Sequence, residues 1–330
     1  MEVLLLKNLK LALPKGSLEK ATYDIFQRAF YRISGQDHTY RPLINDTEIE
    51  LKILRPQEIP VYVAEGMQDA GITGIDWIME TGAYVEQLLN LEYGHVRLVA
   101  AIPKNLTYSS MNSLLEEFWS QGRPVRISTE YLNLATQYLK STPAYKERFG
   151  SQQPLIVTPW WRKGENATAT IYLSFGATEA KPPEDADLII DLMNTGATLE
   201  QNNLKPIDTI IESTAYLIAN KQALSDSWKR EKIYDVLALL KGVVEAQKRL
   251  HIFVNVKGEN LQKLLDELPA LREPTVSPLS EKGWYAVNTV VEKAELLKLL
   301  PTLRRLAQGL VVHEPRQVLS LEEITEKKED

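Results

Sequence analysis

Between Ala186 and Leu204 the sequence ADLIIDLMNTGATLEQNNL combines two aspartates, two hydroxyls and a glycine in a spacing that suits phosphate binding. Leu188, Ile189, Ile190 and Leu192 form the apolar run of a strand covered on both faces. Asn194, Thr195, Gly196, Ala197 and Thr198 follow where a helix begins. Small residues, hydroxyls and unpaired backbone N–H groups at a helix start can cradle an anion, with help from the helix dipole. Alternation along the strand turns Asp187 and Asp191 to the same face. At ~3.3 Å per residue their carboxylates stand about 13 Å apart, too far for a general acid/base pair. Asp191, beside the turn, can hold ribose hydroxyls or a Mg²⁺ ion. Taken alone, a TGxT turn is equally an ordinary strand-turn-helix with Asn194 or Thr195 as N-cap.

Other residues able to meet an anion stand at predicted strand ends. Lys15 lies between a strand at Leu9 to Leu13 and a helix that Ser17 would cap, and Arg55 closes a strand at Leu51 to Leu54. Asp76 opens a helix after the strand DAGITG. Strands alternate with helices through residue 204, which points to βαβ units, with ligands beyond the carboxyl ends of the strands. The loop TPWWRKGENATAT carries Trp160 and Trp161, which could stack on a purine, although anchoring a loop or an interface is the commoner use of such rings. Residues 221–232 are polar and read as a linker, and a long amphipathic helix over Ile233 to Leu250 follows. Strand 251–256, helix 259–268, strands 275–279 and 284–291, helix 293–307 and strand 309–313 then give a ferredoxin-like βαββαβ series.

Composition bounds the partners. The chain has 330 residues, enough for two or three domains, and a net charge of −6, which argues against a general nucleic-acid binder. No run of about 18 apolar residues predicts a membrane span. The apolar start MEVLLLKNLK is broken by Lys7, Asn8 and Lys10 and reads as a strand rather than a signal peptide. There is no cysteine, so no disulfide or thiolate chemistry, which fits a cytoplasmic protein. His38, His95, His251 and His313 show no metal-ligand spacing.

The string DLMNTGATL resembles the phosphoribosyl-diphosphate (PRPP) loop of phosphoribosyltransferases, with Ile190 where many members carry a second acid. Together with ALPKGSL, LRPQEIPVYVAEGMQDAGITGIDW, GATE at 176–179, ESTAYLIAN at 212–220 and LREPTVSPLSEKGWYAV, it makes nearly the whole chain resemble ATP phosphoribosyltransferase of the long, self-regulated form. The resemblance implies an α/β fold: a two-lobed, periplasmic-binding-protein-like catalytic region, with lobe I at 1–98 and 204–224 and lobe II at 99–203, then an ACT-like regulatory domain at 225–330. It implies ATP and PRPP as substrates with Mg²⁺, attack of adenine N1 on C1 of PRPP in the first step of histidine biosynthesis, feedback inhibition by L-histidine, and a homo-oligomer (a hexamer built from dimers). By motif match, Asn194 to Thr198 would hold the 5′-phosphate. Asp191, with Asp187 and Glu179, would serve the ribose and the reaction. Lys15 and Arg55 would meet phosphates, and Asp76 and Tyr131 would border the nucleotide. Asn255, Leu271, Glu273 and Thr275 would line the histidine site. The chain departs from the family with Ser17 for arginine, Glu58 for aspartate, Ile75 for lysine, and Glu130 and Leu132 for lysine and proline; Arg162 and Lys163 are positioned in sequence to restore positive charge. Two other functions fit the same plan: a non-catalytic two-lobed ligand sensor, and a phosphoribosyltransferase for another base.

Overall fold

The computed structural model describes residues 7–35, 39–268 and 274–319. The chain opens with β1 (Leu9–Pro14), α1 (Glu19–Arg28), the small hairpin β2 (Ile33–Ser34) and β3 (Leu43–Ile44), β4 (Ile49–Leu54), α2 (Ile59–Ala64), β5 (Ala70–Gly74), α3 (Ile75–Thr81) and β6 (Glu86–Asn90). It continues with β7 (Val96–Pro103), α4 (Met111–Ser120), β8 (Val125–Thr129), α5 (Leu132–Ser141), α6 (Pro143–Phe149), β9 (Pro154–Val157), β10 (Arg162–Lys163), β11 (Asn166–Leu173), β12 (Leu188–Met193), α7 (Ala197–Gln201) and β13 (Leu204–Ser213). The last stretch holds β14 (Ala215–Ala219), α8 (Lys221–Ser225), α9 (Ser227–Gln247), β15 (Arg249–Lys257), α10 (Gly258–Glu267), β16 (Thr275–Pro278), β17 (Trp284–Glu292), α11 (Lys293–Leu306) and β18 (Ala307–His313).

Contacts divide the chain into two compact units. One comprises 10–21 and 51–223; the other comprises the described parts of 1–9, 22–50 and 224–330. The larger unit carries two sheets, ordered β4-β1-β5-β14-β6 and β10-β9-β11-β8-β12-β7-β13. In the second sheet β9, β11, β8 and β12 run parallel, while β7 and β13 are antiparallel to their neighbours. From Leu98 to Ile102 β7 is buried on both faces, in keeping with the unbroken apolar run there. Leu98, Ala100 and Ile102 pack under α4 and α5 with Ile127, Leu188 and Ile190. Val99 and Ala101 join Ile189, Met193, Leu199 and Leu204 on the other face. The two segments that cross between the sheets are tied together: Leu91 N–H donates to Ala215 C=O and Ala215 N–H to Tyr93 C=O, each at 2.9 Å. The return to the first sheet, expected at 204, occurs only after Ser213, because β13 pairs with β7 along its whole length.

Within the other unit, β15-α10-β16-β17-α11-β18 folds into a sheet of order β16-β17-β15-β18, the ferredoxin-like arrangement. Leu250, Ile252, Val254 and Val256 alternate inward to its core. Pro278, in the edge strand β16, removes no donor from the sheet interior. The expected linker at 221–232 is helical instead. α8 occupies its start, and α9 begins at Ser227 because the Asp226 carboxylate accepts the Lys229 N–H at 2.9 Å, a capping residue the polar composition hid.

Candidate active site

The four parallel strands β9, β11, β8 and β12 present their carboxyl ends side by side, so the turns that follow them share one edge of the sheet. After β12 comes the predicted phosphate loop. Asn194, Thr195, Ala197 and Thr198 are all exposed. Gly196 holds a left-handed φ of +87°, which a side chain would strain, and the Ala197 N–H donates to the Thr195 hydroxyl at 3.4 Å within the turn. α7 has only five residues. The cradle therefore rests on loop N–H groups and threonine hydroxyls, with little of the helix dipole expected from the sequence.

Asp191, the last acid of β12, is mostly buried beside this loop. Burial is the main force pushing its carboxyl up to about 6, and the charges of Glu179 and Glu130 add to it; hydrogen bonds from the Leu192 N–H, at 2.7 Å, and the Thr178 hydroxyl pull the other way. Glu179 sits in the one-turn 3₁₀ helix after β11. Glu130, one of the departures from the family pattern, follows β8 and accepts the Gly176 N–H at 2.7 Å. The acid here ties down the GATE turn, a role lysine cannot fill. Glu130, Glu179 and Asp191 thus bring three carboxylates together, from the ends of three adjacent strands.

Asp187 does not join them. It precedes β12 at the strand's other end, and its side chain is 3% exposed. Its oxygens accept from the Arg126 backbone N–H at 2.8 Å, Arg126 Nε at 3.2 Å and Arg123 Nη2 at 2.5 Å. It is a buried anchor between β12 and the start of β8, so the expected catalytic role gives way to a structural one. The spacing in sequence already set Asp187 about 13 Å down the strand from Asp191; the structure adds the two arginines that engage it.

In the first sheet Lys15 and Arg55 follow β1 and β4. The Lys15 N–H donates to Leu54 C=O at 2.8 Å, and a Cβ on Gly16 would lie 4.0 Å from Arg55 Nη1, so the two cationic loops are neighbours. Asp76 and Tyr131 behave differently from the expectation. Asp76 is buried, with Oδ1 accepting the Ser213 hydroxyl at 2.5 Å and Oδ2 the Tyr131 hydroxyl at 2.7 Å. Tyr131 is 1% exposed and stacks on Trp77 with centroids 4.3 Å apart. Burial, then the Asp76 charge, raises its phenol far above the ordinary value and keeps it a donor. Neither residue offers a surface to a purine; together they lock α3 to the turn after β8. One helical turn further, Glu80 accepts the Asn133 and Leu134 N–H groups at 2.8 and 2.9 Å and so caps α5, with burial raising its carboxyl. Sequence reasoning missed Glu80 and Ser213. The i, i+4 spacing of Asp76 and Glu80 on one helix face was the available signal.

Among the effector candidates, Asn255 on β15 and Thr275 on β16 are both exposed. Asn255 pairs with Ala286, and Thr275 with Asn288, across β17, so they share the sheet face opposite the core. Leu271 and Glu273 lie outside the described residues, as does His38. Among the described residues no cluster of three or more acids or histidines forms a metal site, and no helix is long and apolar enough to cross a membrane.

The larger unit thus holds a hydroxyl-bearing loop next to a mostly buried acid on one sheet and two neighbouring cationic loops on the other, a donor set suited to a phosphorylated ligand. The comparisons with known proteins are specific. The ATP phosphoribosyltransferase family model matches residues 55–242, and that family's C-terminal domain matches 246–314. The chain is 37% identical over 319 residues to the ATP phosphoribosyltransferase of Thermodesulfovibrio yellowstonii, covering 95% of this chain and 99% of that one. It is also 37% identical over 317 residues to that of Chlorobaculum parvum, covering 94% and 97%. A solved ATP phosphoribosyl transferase (HisG:HisZ) complex from Thermotoga maritima shares the fold with a TM-score of 0.53 at 26% identity, over 72% of this chain and 98% of that one. The chain belongs to the ATP phosphoribosyltransferase family.

Proposed function

We propose that this chain transfers the phosphoribosyl group of PRPP to N1 of ATP, releasing pyrophosphate and forming N1-(5-phosphoribosyl)-ATP, the first step of histidine biosynthesis. One observation carries the assignment: the exposed Thr195–Thr198 loop and the carboxylates of Asp191 and Glu179 stand together at one edge of the sheet. The loop N–H groups and hydroxyls hold the 5′-phosphate. Asp191 accepts from the ribose hydroxyls, and the negative cluster it shares with Glu179 and Glu130 stabilises positive charge developing at C1. Adenine N1 attacks through its own lone pair, so no strong base is required. Rate enhancement comes chiefly from aligning two bound substrates. Lys15 and Arg55 face the polyphosphates.

The donor set suits Mg²⁺, since one or two carboxylate oxygens with substrate phosphates are its usual ligands. Bound there, Mg²⁺ supplies charge compensation for the diphosphate, with Asp191 the protein residue best placed to hold it. L-Histidine is the proposed inhibitor, held on the exposed face of the ferredoxin-like sheet by Asn255 and Thr275, with Leu271 and Glu273 completing the site by motif. Assembly into a dimer-based hexamer in the cytoplasm belongs to the same reading. The test is adduct formation in the near ultraviolet with ATP, PRPP and Mg²⁺, pyrophosphatase present, with and without histidine. Adduct that histidine suppresses supports both halves; adduct indifferent to histidine removes the effector site, and no adduct from folded protein removes the reaction.

A further inference from the structure

We infer that Trp160 and Phe175 form the platform on which the purine ring of the nucleotide substrate stacks, an inference that rests on the reaction proposed above. Tyr131, the aromatic residue the sequence offers for that task, is buried with one face against Trp77, so the base must find another surface. Trp160 and Phe175 are 72% and 67% exposed, unusual for rings of this size, and stand edge to face with centroids 5.6 Å apart.

Their place in the fold is the main argument. Trp160 lies in the turn after β9 and Phe175 in the turn after β11, on the same sheet edge as Glu130 after β8 and the phosphate loop after β12. Phe175 directly precedes Gly176, which Glu130 holds, and Thr178, whose hydroxyl contacts Asp191. Three strand spacings of about 4.8 Å separate β9 from β12, or about 14 Å. That interval fits a phosphoribosyl group with a base beyond it, when its phosphate sits on the β12 loop.

The backbone that carries both rings is also held before any ligand arrives. The Thr158 hydroxyl, in a side chain 7% exposed, accepts the Trp160 N–H at 3.3 Å and the Trp161 N–H at 3.0 Å, and the Thr158 N–H donates to Trp161 C=O at 3.0 Å. Gly164 closes the hairpin with φ +93°, where a Cβ would come 1.9 Å from Pro154 O. On the other side the Ser174 hydroxyl donates to Gly176 C=O at 3.1 Å. Rigid aromatic rings lose little entropy when a ligand stacks on them. The exposed Arg162 and Lys163, next in the hairpin, add positive charge beside the platform for the nucleotide's phosphates.

The test compares Trp160→Ala, Phe175→Ala and Trp160→Phe with the wild type. The alanine variants are expected to raise the KM for ATP about ten- to a hundredfold, the effect of losing one base–aromatic stack, while the KM for PRPP and the kcat at saturating ATP stay within about twofold. Trp160→Phe restores most of the loss. Calorimetric titration of ATP into the wild type and Trp160→Ala reads the same difference without turnover, so it decides the platform even if no phosphoribosyl-ATP forms. An ATP affinity unchanged in both alanine variants overturns the inference. So does an equal loss for ATP and PRPP, which marks a collapsed turn, or a changed oligomeric mass, which marks an interface residue.

Discussion

Asp191→Asn separates the stability of the site from its function. Folding raises the Asp191 carboxyl from 3.8 to about 6. Because the folded value is the higher, the native state binds more protons than the unfolded chain between those limits. Stability therefore falls as pH rises through that window and levels off above about 6. A difference of about two pKa units corresponds to ~3 kcal/mol lost by pH 8, about half of it already lost at pH 5. Asparagine keeps an acceptor for the Leu192 N–H and carries no charge beside Glu179 and Glu130. The variant is expected to be more stable than the wild type by up to ~3 kcal/mol at pH 8, with the margin shrinking to well under 1 kcal/mol at pH 4. Urea unfolding of both proteins at pH 4, 5, 6, 7 and 8 measures this. The same substitution should lower kcat/KM for PRPP by 10²-fold or more, since a carboxylate aimed at developing positive charge is lost. In the wild type, activity should rise with pH along a limb centred near 6. An Asp191→Asn protein that is less stable at pH 8, or whose margin over wild type ignores pH, would refute the reasoning that burial and carboxylate repulsion dominate this site.

Asp187→Ala removes the acceptor of the Arg126 N–H and of two partly exposed guanidinium groups and should cost about 1–3 kcal/mol of stability while leaving the KM for PRPP near wild type. A tenfold change in that KM, with stability intact, would return Asp187 to the active site. Tyr131→Phe leaves the buried Asp76 Oδ2 without its donor and should destabilise by about 1–3 kcal/mol, read by urea denaturation. Gly196→Ala forces a Cβ into a left-handed backbone 3.4 Å from Met193 Sδ, a strain of about 1–2 kcal/mol; calorimetric titration should show PRPP binding weakened by about tenfold with the overall fold kept. Gly164→Ala cannot be accommodated beside the Pro154 carbonyl and should open the WWRKG hairpin, seen as increased proteolysis within 158–165.

Much of this molecule follows from local sequence. The apolar run of β12, the Thr195–Thr198 turn, and the βαββαβ rhythm after residue 250 each depend on a few neighbouring residues whose periodicity states what they form. The family was legible for the same reason: its motifs are short contiguous strings placed at strand ends. Side-chain roles that depend on which distant element arrives opposite were not legible. Asp187 and Asp191 share a strand face, yet Arg126, brought alongside by parallel pairing of β8, claims the first, while Glu130 and Glu179 crowd the second. Tyr131 reads as a ring next to a ligand until α3 packs on it with Trp77 and Asp76. Glu130 looks like a lost cation until the Gly176 N–H is seen against it. A residue's type and neighbours set what it is able to do, but its burial, and the charges that approach it, are set by strands far apart in the chain, and those decide whether an acid becomes an anchor or a reactive group.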